Sequence, residues 1–249
     1  MSIFSNREWQ SIYVSWKRIM VRTVRAKGRL LGSFVQPILF MVAFGLGLRG
    51  RGGSLEFIMP GIIAMSAIMS SVMAGLSVMW DKEFGFLKEI LVAPVSRLSA
   101  VVGRSAGAIT TAMFQVMWLT IISMLMGARF ILQGIVPAIG MIIITSTVAV
   151  GIGMSFASII DDFQSFQVVQ NIVVMPMVFL STAFVDVAHA PGWLSVVVKL
   201  NPFSYGIDGI RHFLTGLGAF PLWLDILVAS SAAIVAMLAS SYLFEKIEI

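Results

Sequence analysis

The sequence predicts an all-α integral membrane protein with six transmembrane helices, and three observations carry that prediction. The 249 residues are 58% hydrophobic and only 12% charged, where a soluble domain carries about 25% charged residues. Mean hydropathy is +0.96, so most of the surface must face lipid rather than water. The apolar residues also fall in continuous runs instead of the alternating pattern of a membrane β-barrel. A secreted enzyme, a cytosolic enzyme or a nucleic-acid-binding domain fits this composition poorly, so the expected surroundings are membrane lipid and no nucleic acid.

Residues 1–29 are not a span. Trp9, Ile12, Tyr13, Trp16, Ile19 and Met20 recur at helical spacing, with Arg7, Lys17, Arg18, Arg22 and Arg25 between them. That pattern describes an amphipathic interfacial helix whose aromatic rings sit at headgroup depth. A signal-peptide reading fits less well. The apolar run that follows is long for such a peptide and leads into Leu-Arg-Gly-Arg, not an Ala-x-Ala site.

Six runs have about the twenty apolar residues that a ~30 Å hydrocarbon core requires. They are 30–48, 57–79, 105–126, 135–160, 166–184 and 226–244, with charged residues only near their ends. Pro37, Pro60 and Pro176 are expected to kink the helices that contain them. Gly103-x-x-x-Gly107 is a close-packing site, expected within the subunit.

Two connections exceed simple turns. Segment 80–104 is expected to hold a short helix over 81–92, ended before Pro94. Segment 185–224 holds apolar stretches at 193–198 and 203–214, each too short to cross. Breakers flank them: Pro191 and Gly192, Asn201 and Pro202, Gly216 and Gly218. Short apolar helices at a membrane edge are most simply re-entrant or interfacial. With the N-terminus inside, inner connections carry twelve Lys and Arg and outer ones five, which favours two cytoplasmic termini.

Several chemistries are excluded. No Gly-Lys dipeptide occurs, so the chain has no Walker loop for nucleotide phosphates. With no cysteine and only His189 and His212, no metal centre is expected. No span has a charged residue or histidine at its centre, the usual mark of a proton relay. Ser155 beside Gly151 and Gly153 reads as close-packing material rather than as a nucleophile.

Segment 81–92 is amphipathic. Phe84, Leu87 and Leu91 make one stripe, and Asp81, Lys82, Glu83, Lys88 and Glu89 offer charge elsewhere. Two readings fit equally: a helix lying on the headgroups, or a docking element for a cytoplasmic partner.

Glu83-x-Gly85-x-Leu87-x-Glu89 followed by Leu91-Val92-Ala93-Pro94-Val95-Ser96-Arg97 resembles the cytoplasmic loop of type-2 ATP-binding-cassette exporter permeases. A second block is similar to the family signature between the fifth and sixth spans. It runs from Phe179-Leu180-Ser181-Thr182-Ala183-Phe184 through Pro191-Gly192-Trp193-Leu194 and Leu200-Asn201-Pro202-Phe203-Ser204-Tyr205-Gly206 to Asp208-Gly209-Ile210-Arg211. The daunorubicin-resistance and nodulation-type permeases are the nearest in character. Departures exist: many relatives have Thr and Glu where this chain has Phe86 and Lys88, and Gly where it has Thr182.

The resemblance implies a half-transporter with no catalytic site of its own. Two copies would pair around a substrate pathway in a prokaryotic plasma (inner) membrane. Two cytoplasmic ATPase subunits would bind ATP and Mg and drive it. Asp81, Glu83, Phe84, Gly85, Leu87, Lys88, Glu89 and Pro94 would form the coupling helix. His189, Pro191 and Trp193 would begin an outer gate, and Asn201, Pro202, Asp208 and Arg211 would shape its second half. Gly45, Gly47 and Ser181, on the first and fifth spans, would lie at the dimer interface.

Simpler structural roles stand beside these. Asp208 and Arg211 at i, i+3 also fit mutual neutralisation, Trp193 a headgroup anchor, and Asn201-Pro202 a turn and helix start. The expected cargo is an amphipathic or hydrophobic compound. The alternatives are a lipo-oligosaccharide or lipid-linked glycan, and a non-transporting scaffold for an ATPase.

Overall fold

In the computed structural model, which describes residues 6–49, 54–83, 97–160 and 162–245, the described residues are mostly helical, joined by short loops and without strands. The elements in order are α1 (Asn6–Arg25), α2 (Lys27–Arg49), α3 (Leu55–Val72), α4 (Ala74–Glu83), α5 (Arg97–Leu125) and α6 (Ile135–Ile159). There follow α7 (Phe163–Val169), a π-turn (Gln170–Val174), α8 (Met175–Phe179), α9 (Gly192–Leu200), α10 (Pro202–Thr215) and α11 (Leu222–Glu245).

Four described helical stretches are long and apolar enough to cross a bilayer: Leu55–Trp80, Val101–Leu125, Leu132–Ile159 and Leu222–Phe244. The apolar parts of the first and fifth expected spans are shorter, Leu31–Gly45 and Phe163–Phe179. At ~1.5 Å per residue they reach about 22 and 26 Å, less than the ~30 Å core. Length and composition therefore give four crossings among the described residues.

The helix α6 is the centre of the bundle, and its small residues explain why. A β-carbon built at Gly153 would overlap the carbonyl oxygen of Val72, and one at Gly151 would press on the backbone of Ala236. Neighbouring helices thus reach α6 with backbone nearly touching backbone. Ser155 donates to its own helix at Gly151 O (2.8 Å), so its hydroxyl is engaged locally. Burial separates interior from periphery. In the α3–α4 stretch 76% of the apolar window is buried, against 22% in α11, which places α3–α4 inside and leaves most of α11 exposed.

The helix discontinuities lie away from two of the three prolines. α2 and α3 run on through Pro37 and Pro60. The second stretch breaks instead at Met73, where Gly75 packs against the backbone of Gly153. Pro176 does coincide with an irregularity, following the π-turn. Having no N–H, Pro176 removes the usual i+4 donor for Ile172 O, and the turn widens there.

The interfacial helix divides its apolar side chains. Gly103 of α5 receives the backbone of Ile12 and the side chain of Ser15 from α1, Gly107 receives the side chain of Ile19, and Trp16 Nε1 donates to Thr110 Oγ1 (3.1 Å). Trp9 and Tyr13 stay exposed. This docking accompanies an α5 that begins at Arg97, ahead of its apolar window.

Candidate functional site

Two features stand out: a polar knot near one end of the bundle, and a cavity among α1–α5 and the π-turn.

Arg211 and Asp208, both buried, make the knot. Arg211 Nη1 donates to Asp208 Oδ1 at 3.3 Å, its Nε to Phe57 O at 3.0 Å, and its Nη2 to Thr182 O. The guanidinium also stacks 4.0 Å from the Phe57 ring centroid. Asp208 Oδ2 accepts from the backbone N–H groups of Ala219 (2.7 Å) and Phe220 (2.8 Å). A single i, i+3 ion pair thereby ties α10 to the start of α3, the turn after α8 and the loop before α11. Paired, and with a hydrogen bond at each guanidinium nitrogen and each carboxylate oxygen, both charges tolerate burial.

Asn201 supplies the second tie. Its Oδ1 accepts from Phe203 N (3.1 Å), capping α10 with Pro202 in the first turn. Its Nδ2 donates to Leu180 O (3.1 Å) and to Met177 O, which satisfies carbonyls at the end of α8. Thr182 Oγ1 donates to Ser204 O (2.6 Å). At its far end α10 stops at Gly216, whose φ of +75° suits glycine.

Asn201, Pro202, Asp208 and Arg211 thus belong to one connected structure. His189, Pro191 and Trp193 do not join it. His189 is exposed and pairs with Asp186 at 2.7 Å, and Pro191 and Trp193 lie on the surface at the start of α9. The hydrogen bond from His189 holds the Asp186 carboxyl below the usual carboxylate range. Asp162, the N-cap of α7, is likewise held low by the side chain of Ser165 and by its backbone N–H, which donates at 2.7 Å.

The three glycine and serine positions assigned to a dimer contact differ. Gly45 is packed inside the chain, with Met59, Met126 and Leu55 around the place of its missing β-carbon. Ser181 is buried and bonded to Val178 O. Gly47 faces open space. Of the coupling positions, Asp81 and Glu83 fall in the last turn of α4. Phe84, Gly85, Leu87, Lys88, Glu89 and Pro94 lie outside the described residues.

The cavity has a volume of about 440 Å³. Its apolar wall includes Phe40, Met65, Met69, Met73 and Met175, and its polar wall Ser66, Gln115 and Gln170. Gln115 is held in place by donating from Nε2 to Ser33 O (2.8 Å). Arg22 marks one end, its guanidinium 3.9 Å from the Trp80 ring centroid.

Three features were missed by reading residues in order. Phe40 and Phe44 on α2 meet Phe179 and Phe184 in a chain of rings with centroids 5.0–6.3 Å apart. Those two pairs lie far apart in sequence and become one cluster only on folding. The π-turn that carries Gln170 has no composition signal beyond the proline after it. Asp225, fully buried with neither carboxylate oxygen hydrogen-bonded, lies one residue before the expected start of the sixth span. The hydropathy boundaries left it between the external segment 185–224 and the span 226–244.

Residues 10–214 match the protein family described as ABC-2 type transporter, an interval that contains both motif blocks. A relative named as a transport permease, ycf38 of Porphyra purpurea, is 27% identical over 220 residues, covering 84% of this chain and 76% of its own length. DrrC of Mycobacterium tuberculosis, named as a doxorubicin resistance ABC transporter permease, is 30% identical over 213 residues, covering 80% and 75%. Nodulation protein J of Rhizobium leguminosarum bv. viciae is 24% identical over 246 residues, covering 96% and 92%.

Proposed function

This chain belongs to the ABC-2 type transporter family, and from that premise we propose that it is the permease subunit of an ATP-driven exporter for an amphipathic or hydrophobic compound. The observation that carries the reading is the cavity of about 440 Å³ enclosed by α1–α5 and the π-turn. Its size is that of a small-molecule pocket, about 300–1,000 Å³, and its wall mixes apolar groups with a few placed polar ones. The drug-resistance name of a relative that covers 80% of the chain supports the same class of cargo.

In this reading the chain crosses the plasma (inner) membrane of a prokaryote six times, with both termini cytoplasmic. Two copies pair, and two ATPase subunits bind ATP and Mg and supply the energy. The first and fifth spans line the pairing surface. Leu31, Val35, Leu39 and Val42 make an exposed stripe on α2, and Val168 and Ile172 are exposed on the fifth segment. The knot around Arg211 braces a re-entrant outer gate over 185–224. Segment 81–92 seats in the ATPase, with Phe84 and Leu87 as anchors.

A lipid-linked glycan is the second reading, favoured by the cluster of Phe40, Phe44, Phe179 and Phe184, since sugar faces stack on aromatic rings.

The test is reconstitution with the ATPase in liposomes. Cargo is expected to stimulate ATP hydrolysis and to move across the bilayer in an ATP-dependent way. The Phe84→Ala, Leu87→Ala double variant should insert and pair normally yet lose ATPase binding, each truncation removing burial worth ~1.5–3 kcal/mol. ATPase binding and transport at the parental rate in that variant would overturn the coupling assignment. ATP hydrolysis without movement of any drug-like or lipid-linked cargo would favour the scaffold alternative.

A further inference from the structure

The walls of the cavity specify more about a ligand than its size does. Two polar side chains that line it are more than nine-tenths buried and leave an atom without a hydrogen-bond partner: Ser66 at Oγ and Gln170 at Oε1. An amide oxygen buried and unpaired is unfavourable, and a donor that enters the cavity would relieve it once the Gln170 side chain turns this oxygen, closed off in the empty cavity, toward the ligand. Gln170 Oε1 can only accept, so the complementary ligand group must donate an N–H or O–H. Ser66 Oγ can accept or donate and adds a second contact of either kind.

The π-turn brings Gln170 to this wall. Gln170 and Met175 both line the cavity although they are five positions apart, which in a regular α-helix would set them about 140° from one another. The wide turn over Gln170–Val174 brings them closer to one face. Around them Phe40, Met65, Met69 and Met73 offer adaptable, polarizable packing for an apolar body.

Charge is scarce. Among the described lining residues no carboxylate appears, and the charged side chain is Arg22, its guanidinium stacked on Trp80. A cationic ligand would find no counter-charge in the wall, and an anionic group placed at Gln170 would face an unpaired acceptor.

We propose that this cavity is a binding site, contained within one copy of the chain, for an uncharged amphipath that bears a hydroxyl or amide N–H. The donor pairs with Gln170 Oε1, and the apolar body lies among the methionines and Phe40. The proposal deepens the exporter reading by naming the class of cargo and rests on that reading for the ligand's later movement, whereas binding itself needs neither the ATPase nor ATP.

The test is a headgroup series on the purified full-length chain in nanodiscs, without ATPase, using 1-pyrenebutanol, its methyl ether and 1-pyrenebutyrate. Saturable energy transfer from tryptophan to pyrene, above that of empty nanodiscs, reports binding, and the part of it lost in Trp80→Phe, one of six tryptophans, reports binding close to Trp80. The alcohol is expected to bind about tenfold tighter than the ether, the effect of one hydrogen bond, and tighter than the carboxylate. Gln170→Met keeps size without the acceptor and should bring the alcohol down to the ether's affinity while leaving the ether unchanged. Equal affinity of alcohol and ether for the parent chain would overturn the proposal without recourse to any variant, as would tighter binding of the carboxylate. If the alcohol binds as expected but the ATPase-containing complex never transports it, the site stands and the exporter reading falls. If another cargo is transported while the series shows no headgroup preference, the exporter reading stands and this proposal falls.

Discussion

Arg211 and Asp225 show how differently two buried ionisable groups can be housed within one region. Arg211 has an ion-pair partner, two carbonyl acceptors and an aromatic face. Asp225 is fully buried and neither of its oxygens is hydrogen-bonded. Removing one member of a buried pair strands the other, at a cost of about 3–5 kcal/mol. Asp208→Ala should therefore lower thermal stability far more than the double variant Asp208→Asn with Arg211→Gln, which leaves no unpaired charge. Asp225→Asn replaces an unpartnered ionisable group by a neutral one with almost no change in shape and should leave the melting temperature equal or higher. Thermal unfolding in detergent, followed by fluorescence-detected gel filtration, measures all three. Equal and mild effects of Asp208→Ala and the double variant would mean that the pair is solvated and braces nothing. The i, i+3 spacing of Asp208 and Arg211 was legible in the sequence. Their partners were not, because Phe57 and Thr182 come from other elements.

The element that organises the bundle is α6, through positions where a side chain cannot fit. A β-carbon at Gly75 would overlap the carbonyl oxygen of Gly153, while one at Gly140, on the same helix as Gly153, would meet nothing within 4 Å. Gly75→Ala must push α4 off α6, and overpacking of this kind costs about 1–3 kcal/mol. Gly140→Ala should be neutral or stabilising by up to ~1 kcal/mol, from helix propensity alone. A melting curve for Gly75→Ala that matches the parent's would show that α4 does not approach α6 so closely. Glycine-rich helices are visible in sequence as potential close contacts. Gly103 and Gly107 were expected to pack within the subunit, and their partner is α1. Which helix meets which glycine depends on how the bundle closes, and the break at Met73 follows from that closure rather than from Pro60.

For the whole molecule the open question is orientation. The bias of twelve to five Lys and Arg between alternate connections predicts that Ser54 and Ser96 lie on opposite sides. The chain has no cysteine, so single cysteines at these positions can be labelled without background. A membrane-impermeant maleimide should modify Ser54→Cys from outside intact cells and Ser96→Cys only after permeabilisation. Equal modification of both from outside would sink the six-span arrangement. It would also remove the cytoplasmic position on which the coupling role of 81–92 depends.

Composition and apolar run length determined the membrane environment and the all-helical class, because backbone in hydrocarbon must satisfy its hydrogen bonds internally whatever the neighbours. Two ordered motif blocks were enough to place the chain in its family. Run length could not say how much of each run stays buried, and it treated α2 and the fifth segment as equal to α6 when their apolar parts are shorter. Only the tertiary structure decided which glycines meet backbone, which carbonyls Arg211 holds, and that a π-turn brings Gln170 to a cavity shared with α1–α5. These are contacts between elements distant in the chain. Periodicity describes one helix at a time, while a cavity and a buried ion pair are properties of several helices closing around the same space.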